Sequence, residues 1–124
     1  MKSIIQNGRY CFLTGKTNCQ LHKHHVYNGP LRTWSERNGL WVYLAWDEHE
    51  KLHKNVNTAR RLKAIAQCIY ERTHTHEEFM SHTHEDYSMY LTDEDKKRYC
   101  TEYEPLDLSK ISDELLIQGM RLRG

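Results

Sequence analysis

Histidine is the residue type that stands out in this sequence, with nine among 124 residues. Two of them, His49 and His53, are four residues apart, so on a helix both rings would project from one face with Cβ atoms about 5–6 Å apart. That spacing suits two ligands of one metal ion. A third ligand must come from another element, and the adjacent pair His24 and His25, at the end of a predicted strand, is the obvious source. The residues therefore predict a metal site shared by a strand and a helix.

The front of the chain reads as strands that would present the first of these histidines. Residues 9–13 and 20–26 are short strand-like segments separated by turn residues, which predicts a β-hairpin. Residues 35–39 have the composition of a helical turn closed by glycine, and residues 40–44 form a third predicted strand. The first histidine pair would then lie where the second strand runs into a loop.

Helices are predicted for most of the remaining chain. Asp47 is placed to cap a short helix that carries the second histidine pair. Apolar residues at three- and four-residue steps make residues 57–72 the clearest amphipathic helix. Capping patterns at Thr75 and Thr92 begin two further helices, and an apolar stripe predicts a last helix over residues 112–122.

A third group of histidines lies in an internal repeat, in which the pattern of residues 73–78 recurs eight positions later as residues 81–86. Each copy contains His-x-His followed by acids, which could bind zinc or nickel. The same residues also fit a helix start, because Thr75 and Glu78 form a capping-box pattern. We favour the capping interpretation.

The net charge of +1 hides two unlike parts. Residues 1–72 carry twelve Lys and Arg against five Asp and Glu, whereas residues 73–124 carry six against twelve. A basic front predicts an anionic partner, and an acidic back predicts either self-shielding or a second kind of partner. The cations that could contact phosphates, or simply form a solvated face, are Arg32, Arg37, Lys54, Arg60, Arg61 and Lys63.

Length and composition exclude several classes of protein. The chain is long enough for one compact domain, and no window approaches the apolar length of a membrane span. The first eight residues lack a signal-peptide pattern, so we expect a cytoplasmic protein with no membrane partner. The four cysteines form no C-x-x-C pair, which favours reduced thiols over a disulfide framework: Cys11, Cys19, Cys68 and Cys100.

The histidine spacing resembles that of HNH nucleases, and especially of the colicin-type DNases. His24 and His25 are followed after twenty-three residues by His49, and after three more by His53. Residues 9–87 are also similar in several stretches to small HNH-like proteins of bacteriophage genomes: 11–15, 21–29, 35–40 and 62–67. The resemblance implies an α+β fold with a small ββα-metal, treble-clef-like core of β-hairpin and helices over residues 1–87. A helical acidic extension would follow over residues 88–124.

The same resemblance implies a chemistry and a role for each histidine. His24, His49 and His53 would bind one divalent ion (Mg, Mn, Ni or Zn), and His25 would be the general base that activates water for DNA hydrolysis. In an ideal strand His24 and His25 face opposite ways, so their joint action requires the chain to twist as it leaves the strand. The basic front would bind DNA, in the cytoplasm of a bacterial host if the protein is encoded by a phage.

Departures from the family keep a second hypothesis open. The structural zinc of many phage relatives is not expected here, because Thr14, Ala45 and Glu48 stand where its ligands would be. The family's middle asparagine has only Asn38 as a nearby candidate. The alternative is a catalytically inactive HNH-like module with which a phage inhibits a host defence complex, such as a CRISPR system. The acidic extension would then bind a host or phage protein.

Overall fold

The computed structural model describes residues 1–100, so the helix expected over residues 112–122 lies outside the described part of the chain. Residues 1–100 form a small α+β fold with two strands and five α-helices. In chain order these are β1 (Leu21–His25), α1 (Arg32–Arg37), β2 (Trp41–Ala45), α2 (Trp46–Leu52), α3 (Val56–Tyr70), α4 (His76–Thr83) and α5 (Asp93–Tyr99). Within residues 1–100, no helix combines the length and the apolar character needed to cross a bilayer.

The sheet is an antiparallel pair of β1 and β2, in register from Leu21 opposite Ala45 to His25 opposite Trp41. Both strands were predicted, but the pairing was not. Residues 9–13, expected to pair with the second strand, form turns instead. The turns close locally through hydrogen bonds such as Gly15 N to Cys11 O (2.7 Å), and their one backbone hydrogen bond to β2 runs from Phe12 N to Tyr43 O (2.9 Å).

The connection between the strands contains α1 and is held by a buried serine. The Ser35 hydroxyl donates to the Leu40 carbonyl (2.6 Å) and accepts from the Tyr27 amide (3.3 Å). It therefore ties the chain leaving β1 to the chain entering β2. Gly39 completes the turn with φ of +69°, in such close contact that an added Cβ would lie 2.3 Å from the Lys2 carbonyl oxygen.

Helix α3 is the centre of the core, as its apolar spacing predicted. Asn55 caps it by accepting from the Thr58 amide (3.1 Å), and its inner face is almost fully buried. The buried apolar residues of α3 are Leu62, Ala64, Ile65, Ala66, Ile69 and Tyr70. The aromatic rings of Tyr27 and Phe79 pack together at 5.7 Å between centroids in this core and are fully buried.

The helix starts in the acidic half agree with the capping patterns. Thr75 and Glu78 form a complete capping box at α4, and His84 ends that helix in the left-handed conformation. A second capping box, Thr92 with Asp95, begins α5. The capping box predicted for Thr75 and Glu78 is therefore confirmed. The expected cap at Asp47 was wrong, because Ala45 precedes α2 and the Asp47 carboxylate accepts only from the Glu48 amide.

Two cysteines are joined in a disulfide, which corrects the expectation of reduced thiols. Cys68 of α3 is bonded to Cys100 at the end of α5, while Cys11 is buried and free and Cys19 is exposed and free. The two bonded cysteines are 32 residues apart, and only the packing of α5 against α3 brings their Cα atoms within 5.4 Å. Nothing in the linear spacing signals this contact.

We expect Gly39→Ala to lower the free energy of unfolding by at least about 2 kcal/mol, measured by urea denaturation. The substitution adds a Cβ that meets backbone, at a residue that must also keep a positive φ. Gly15→Ala is the matched control, because Gly15 has φ of +80° but nothing within 4 Å of its added Cβ. That control should lose only about 1 kcal/mol. Equal losses in the two variants would contradict the close contact at Gly39.

Candidate metal centre and nucleic-acid interface

Four histidine rings form one continuous cluster: two come from β1, one from α2 and one from His53, the residue that ends α2. The His49 ring centroid lies 5.1 Å from that of His24, 5.1 Å from that of His53 and 5.8 Å from that of His22. Alternation along β1 puts His22 and His24 on the face toward α2, and α2 follows directly after β2. The structure therefore brings together the three histidines grouped as ligands from the sequence, and adds His22.

The spacing of these rings is suitable for metal coordination. With metal–nitrogen bonds of about 2.0–2.1 Å, two imidazoles on one tetrahedral ion have centroids about 5 Å apart. The rings are tilted by 68° between His24 and His49, and by 40° between His49 and His53. Within residues 1–100, no three His, Cys, Asp or Glu side chains are already arranged to hold an ion. Because the ring centres have ligand spacing, rotation of side chains is the change that binding would require.

Burial and the repulsion between neighbouring imidazolium charges keep His24 and His49 in the neutral form, which is the form that binds metal ions. Desolvation, followed by the nearby imidazoles of His49 and His53, lowers the pKa of His24 to about 4. Burial and His53 also lower the pKa of His49. Both rings are therefore neutral at pH 7, which leaves nitrogen lone pairs available to a cation.

His25 lies on the other face of β1 and is held by a carboxylate. Its Nε2 is 2.6 Å from Oε1 of Glu36 in α1, and Lys23 Nζ lies 3.0 Å from the same oxygen. The hydrogen bonds from His25 and then Lys23 lower the pKa of Glu36 to about 2, so this residue is an anion at neutral pH. The expected twist that would bring His25 beside His24 does not occur, because both residues lie within β1.

A shallow surface groove lies beside His25. It has a volume of about 410 Å³ and is lined by His25, Arg32, Thr33, Glu36 and Arg37. The two arginines are exposed and belong to the same short helix as Glu36. The groove thus combines a histidine, its carboxylate partner and two cations that could bind a phosphate.

The other predicted phosphate contacts have different surroundings. Lys54 is exposed just after α2. Arg61 of α3 makes a two-pronged ion pair with buried Asp95, both contacts being 2.7 Å. Arg60 and Lys63 lie over the rings of Tyr90 and Tyr87 respectively, at 5.3 and 5.5 Å. The three cations of α3 are therefore engaged with the chain that follows α4.

Sequence reasoning missed two residues that organise this region. Glu36 was included only as part of a helical turn, and its partner His25 is eleven residues earlier on another element, so no local spacing connects them. Ser35, rather than Asn38, braces the chain between the strands. The Asn38 side chain donates to the Trp34 carbonyl (2.8 Å) at the end of α1.

Comparison with protein-family models, with curated proteins and with solved structures finds no match for this chain. What the histidine cluster does must therefore be inferred from its own geometry and chemistry.

The low pKa of His24 predicts acid sensitivity. Its pKa in the folded protein is about 4, against a usual 6.5. Between these two values His24 is protonated in the unfolded chain and neutral in the folded protein. The stabilising contribution is complete above about pH 6.5 and is lost as the pH falls toward 4. We expect His24 to account for a loss of about 3 kcal/mol over that range, measured by urea denaturation with a chelator present.

His24→Gln should flatten this part of the pH profile. His84→Asn is the control, because it removes an exposed imidazole at a left-handed position that asparagine tolerates. If His24→Gln lost stability with acid as steeply as the wild type, the buried ring would not be the cause.

Proposed function

We propose that the protein is a metal-dependent DNA endonuclease of the HNH type, with a ββα-metal core formed by β1, β2 and α2. The observation that carries the proposal is the clustering of His24, His49 and His53 at ligand spacing. One ring comes from the first strand, one from the helix that follows the second strand, and one from the residue that ends this helix. The imidazole donor set favours nickel or zinc over magnesium among the divalent ions considered.

His25 is the general base in this proposal. Because the ring lies on the face away from the cluster, this role requires the end of β1 to twist until His25 Nδ1 reaches water beside the ion. Because Glu36 is ionised, the contact of 2.6 Å requires His25 Nε2 to donate, which leaves Nδ1 as the nitrogen that accepts a proton. The carboxylate also stabilises the imidazolium that forms when water gives up its proton. Glu36 therefore sets both the tautomer and the orientation of the base.

The ion and the cations of α1 would share the charge of the substrate. A divalent ion bound by the three histidines would neutralise the scissile phosphate and stabilise the departing 3′ oxygen. Arg32 and Arg37, which line the groove beside His25, would bind a neighbouring phosphate of the same duplex. Such contacts are independent of base sequence and weaken as salt is added.

The second candidate function is an inactive HNH-like module that binds a host or phage protein. It is favoured by the histidine rings, which among residues 1–100 are not yet arranged to hold an ion. Exposed acids on α4 and α5 would serve such a module as a binding surface: Glu77, Glu78, Asp93 and Glu94. Metal binding separates the two candidates.

We expect calorimetric titration with Ni²⁺ or Zn²⁺ to show one ion per chain. His49→Ala should weaken binding at least about 100-fold, because His49 is the ring that contacts the other three in the cluster. His84→Asn should bind like the wild type. A wild-type protein that binds neither ion would refute the nuclease and favour the inactive module.

His25→Ala should reduce cleavage of duplex DNA at least about 100-fold, because a positioned general base contributes a factor of that order or more. Its metal affinity should be unchanged, since His25 faces away from the cluster. Glu36→Gln should lower the rate by roughly tenfold, because the neutral amide orients the base less well and does not stabilise its cation. The cleavage rates of the wild type, His25→Ala and Glu36→Gln are measured by plasmid nicking under metal-saturated conditions. Normal nicking by His25→Ala would exclude it as the base.

A further inference from the structure

The chain between Tyr87 and Cys100, which we call the strap, lies along α3 and contacts its basic side chains. The contact with the most complete hydrogen bonding is the ion pair of Arg61 with Asp95, in which two guanidinium nitrogens each lie 2.7 Å from a carboxylate oxygen. Asp95 is buried, yet the Arg61 side chain remains 50% exposed. The pair therefore lies at the edge of the strap, where solvent can reach it.

Two further contacts join α3 to the strap. The Arg60 guanidinium lies over the Tyr90 ring, and the Lys63 ammonium over the Tyr87 ring. Each cation of α3 thus has a partner in the strap. Acidic and aromatic groups occupy the positions that phosphates and bases of a nucleic acid would otherwise take.

Two contacts hold the C-terminal end of the strap to α3 and to the residues just after it. Arg72, just after α3, donates from Nε to the Tyr99 carbonyl oxygen (3.0 Å). The next residue, Cys100, is bonded to Cys68 of α3. Both cysteines are half-buried, so the bond lies at the margin of the core and not inside it.

We propose that the Cys68–Cys100 disulfide is a reversible latch that holds the strap over α3, and that its reduction opens the basic face of α3 to the phosphate backbone of DNA. The proposal rests on the nucleic-acid role inferred above and adds a regulation to it. A dithiol reductant attacks one sulfur of the bond and then resolves the mixed disulfide with its second thiol. Two electrons and two protons pass to Cys68 and Cys100, which become thiols, while the reductant becomes a disulfide.

The noncovalent contacts of the strap leave the cations of α3 accessible to competing anions. Cation–aromatic contacts at exposed positions are weak in water, and salt reaches the ion pair through the half-exposed Arg61 side chain. The disulfide closes a separation of 32 residues, so breaking it gives the strap a large gain in conformational freedom. DNA, with its dense negative charge, can then replace Asp95 at Arg61.

The first test establishes the latch without any nuclease assay. Protein oxidised with glutathione disulfide should show two free thiols after denaturation, Cys11 and Cys19, and reduced protein should show four. Trypsin should cut at Lys96, Lys97 and Arg98 at least ten times faster in the reduced protein, because these sites lie in α5 within the strap. Four thiols after oxidation, or equal cutting in both states, would overturn the latch.

The second test measures binding of a fluorescent duplex by anisotropy, with a chelator present to prevent cleavage. Reduced wild-type protein should bind at least ten times more tightly than oxidised protein. Cys68→Ser should bind like the reduced form under both conditions, while Cys19→Ser, which removes an exposed free thiol, should respond like the wild type. Equal affinity in the two redox states would overturn the latch.

The two proposals can fail separately. Binding that responds to reduction without cleavage in any metal would refute the nuclease and support the latch. Metal-dependent cleavage with binding that ignores reduction would support the nuclease and overturn the latch.

Discussion

The antiparallel pairing of β1 with β2 is the constraint on which the rest of the structure depends. Because side chains alternate along a strand, five residues of β1 divide their chemistry between two faces. His22 and His24 face His49 of α2, whereas Lys23 and His25 face Glu36 of α1. A register shift of one residue would exchange these faces and separate both sets of partners.

Buried polar contacts hold that register. Ser35 joins the two ends of the connection, and Gln6 donates to the Tyr10 carbonyl and accepts from the Tyr43 amide of β2. Within residues 1–100 no buried side-chain nitrogen or oxygen lacks a partner. The buried residues of α3 share one apolar core with those of β2, which further fixes the backbone that carries the functional side chains.

Within residues 1–100, part of the acidic half folds onto the basic half. Asp95 of α5 is paired with Arg61 of α3 in this way. The cations of α1 instead line a groove, although Glu36 shares that groove with them. The cations of α3 are therefore paired within the chain, whereas those of α1 line a surface groove. Because the number of Lys and Arg residues does not distinguish these two environments, counting them could not locate an interface.

Local patterns determined much of this protein. The histidine pair four residues apart, the apolar repeat of α3 and the Thr75 and Thr92 caps each depend on neighbours within one helical turn, so each could be read directly. Tertiary structure alone decided the partner of β1, the pairing of His25 with Glu36, and the bond between Cys68 and Cys100. These contacts join residues eleven or more positions apart, and their distances depend on how whole elements pack, which no local pattern encodes.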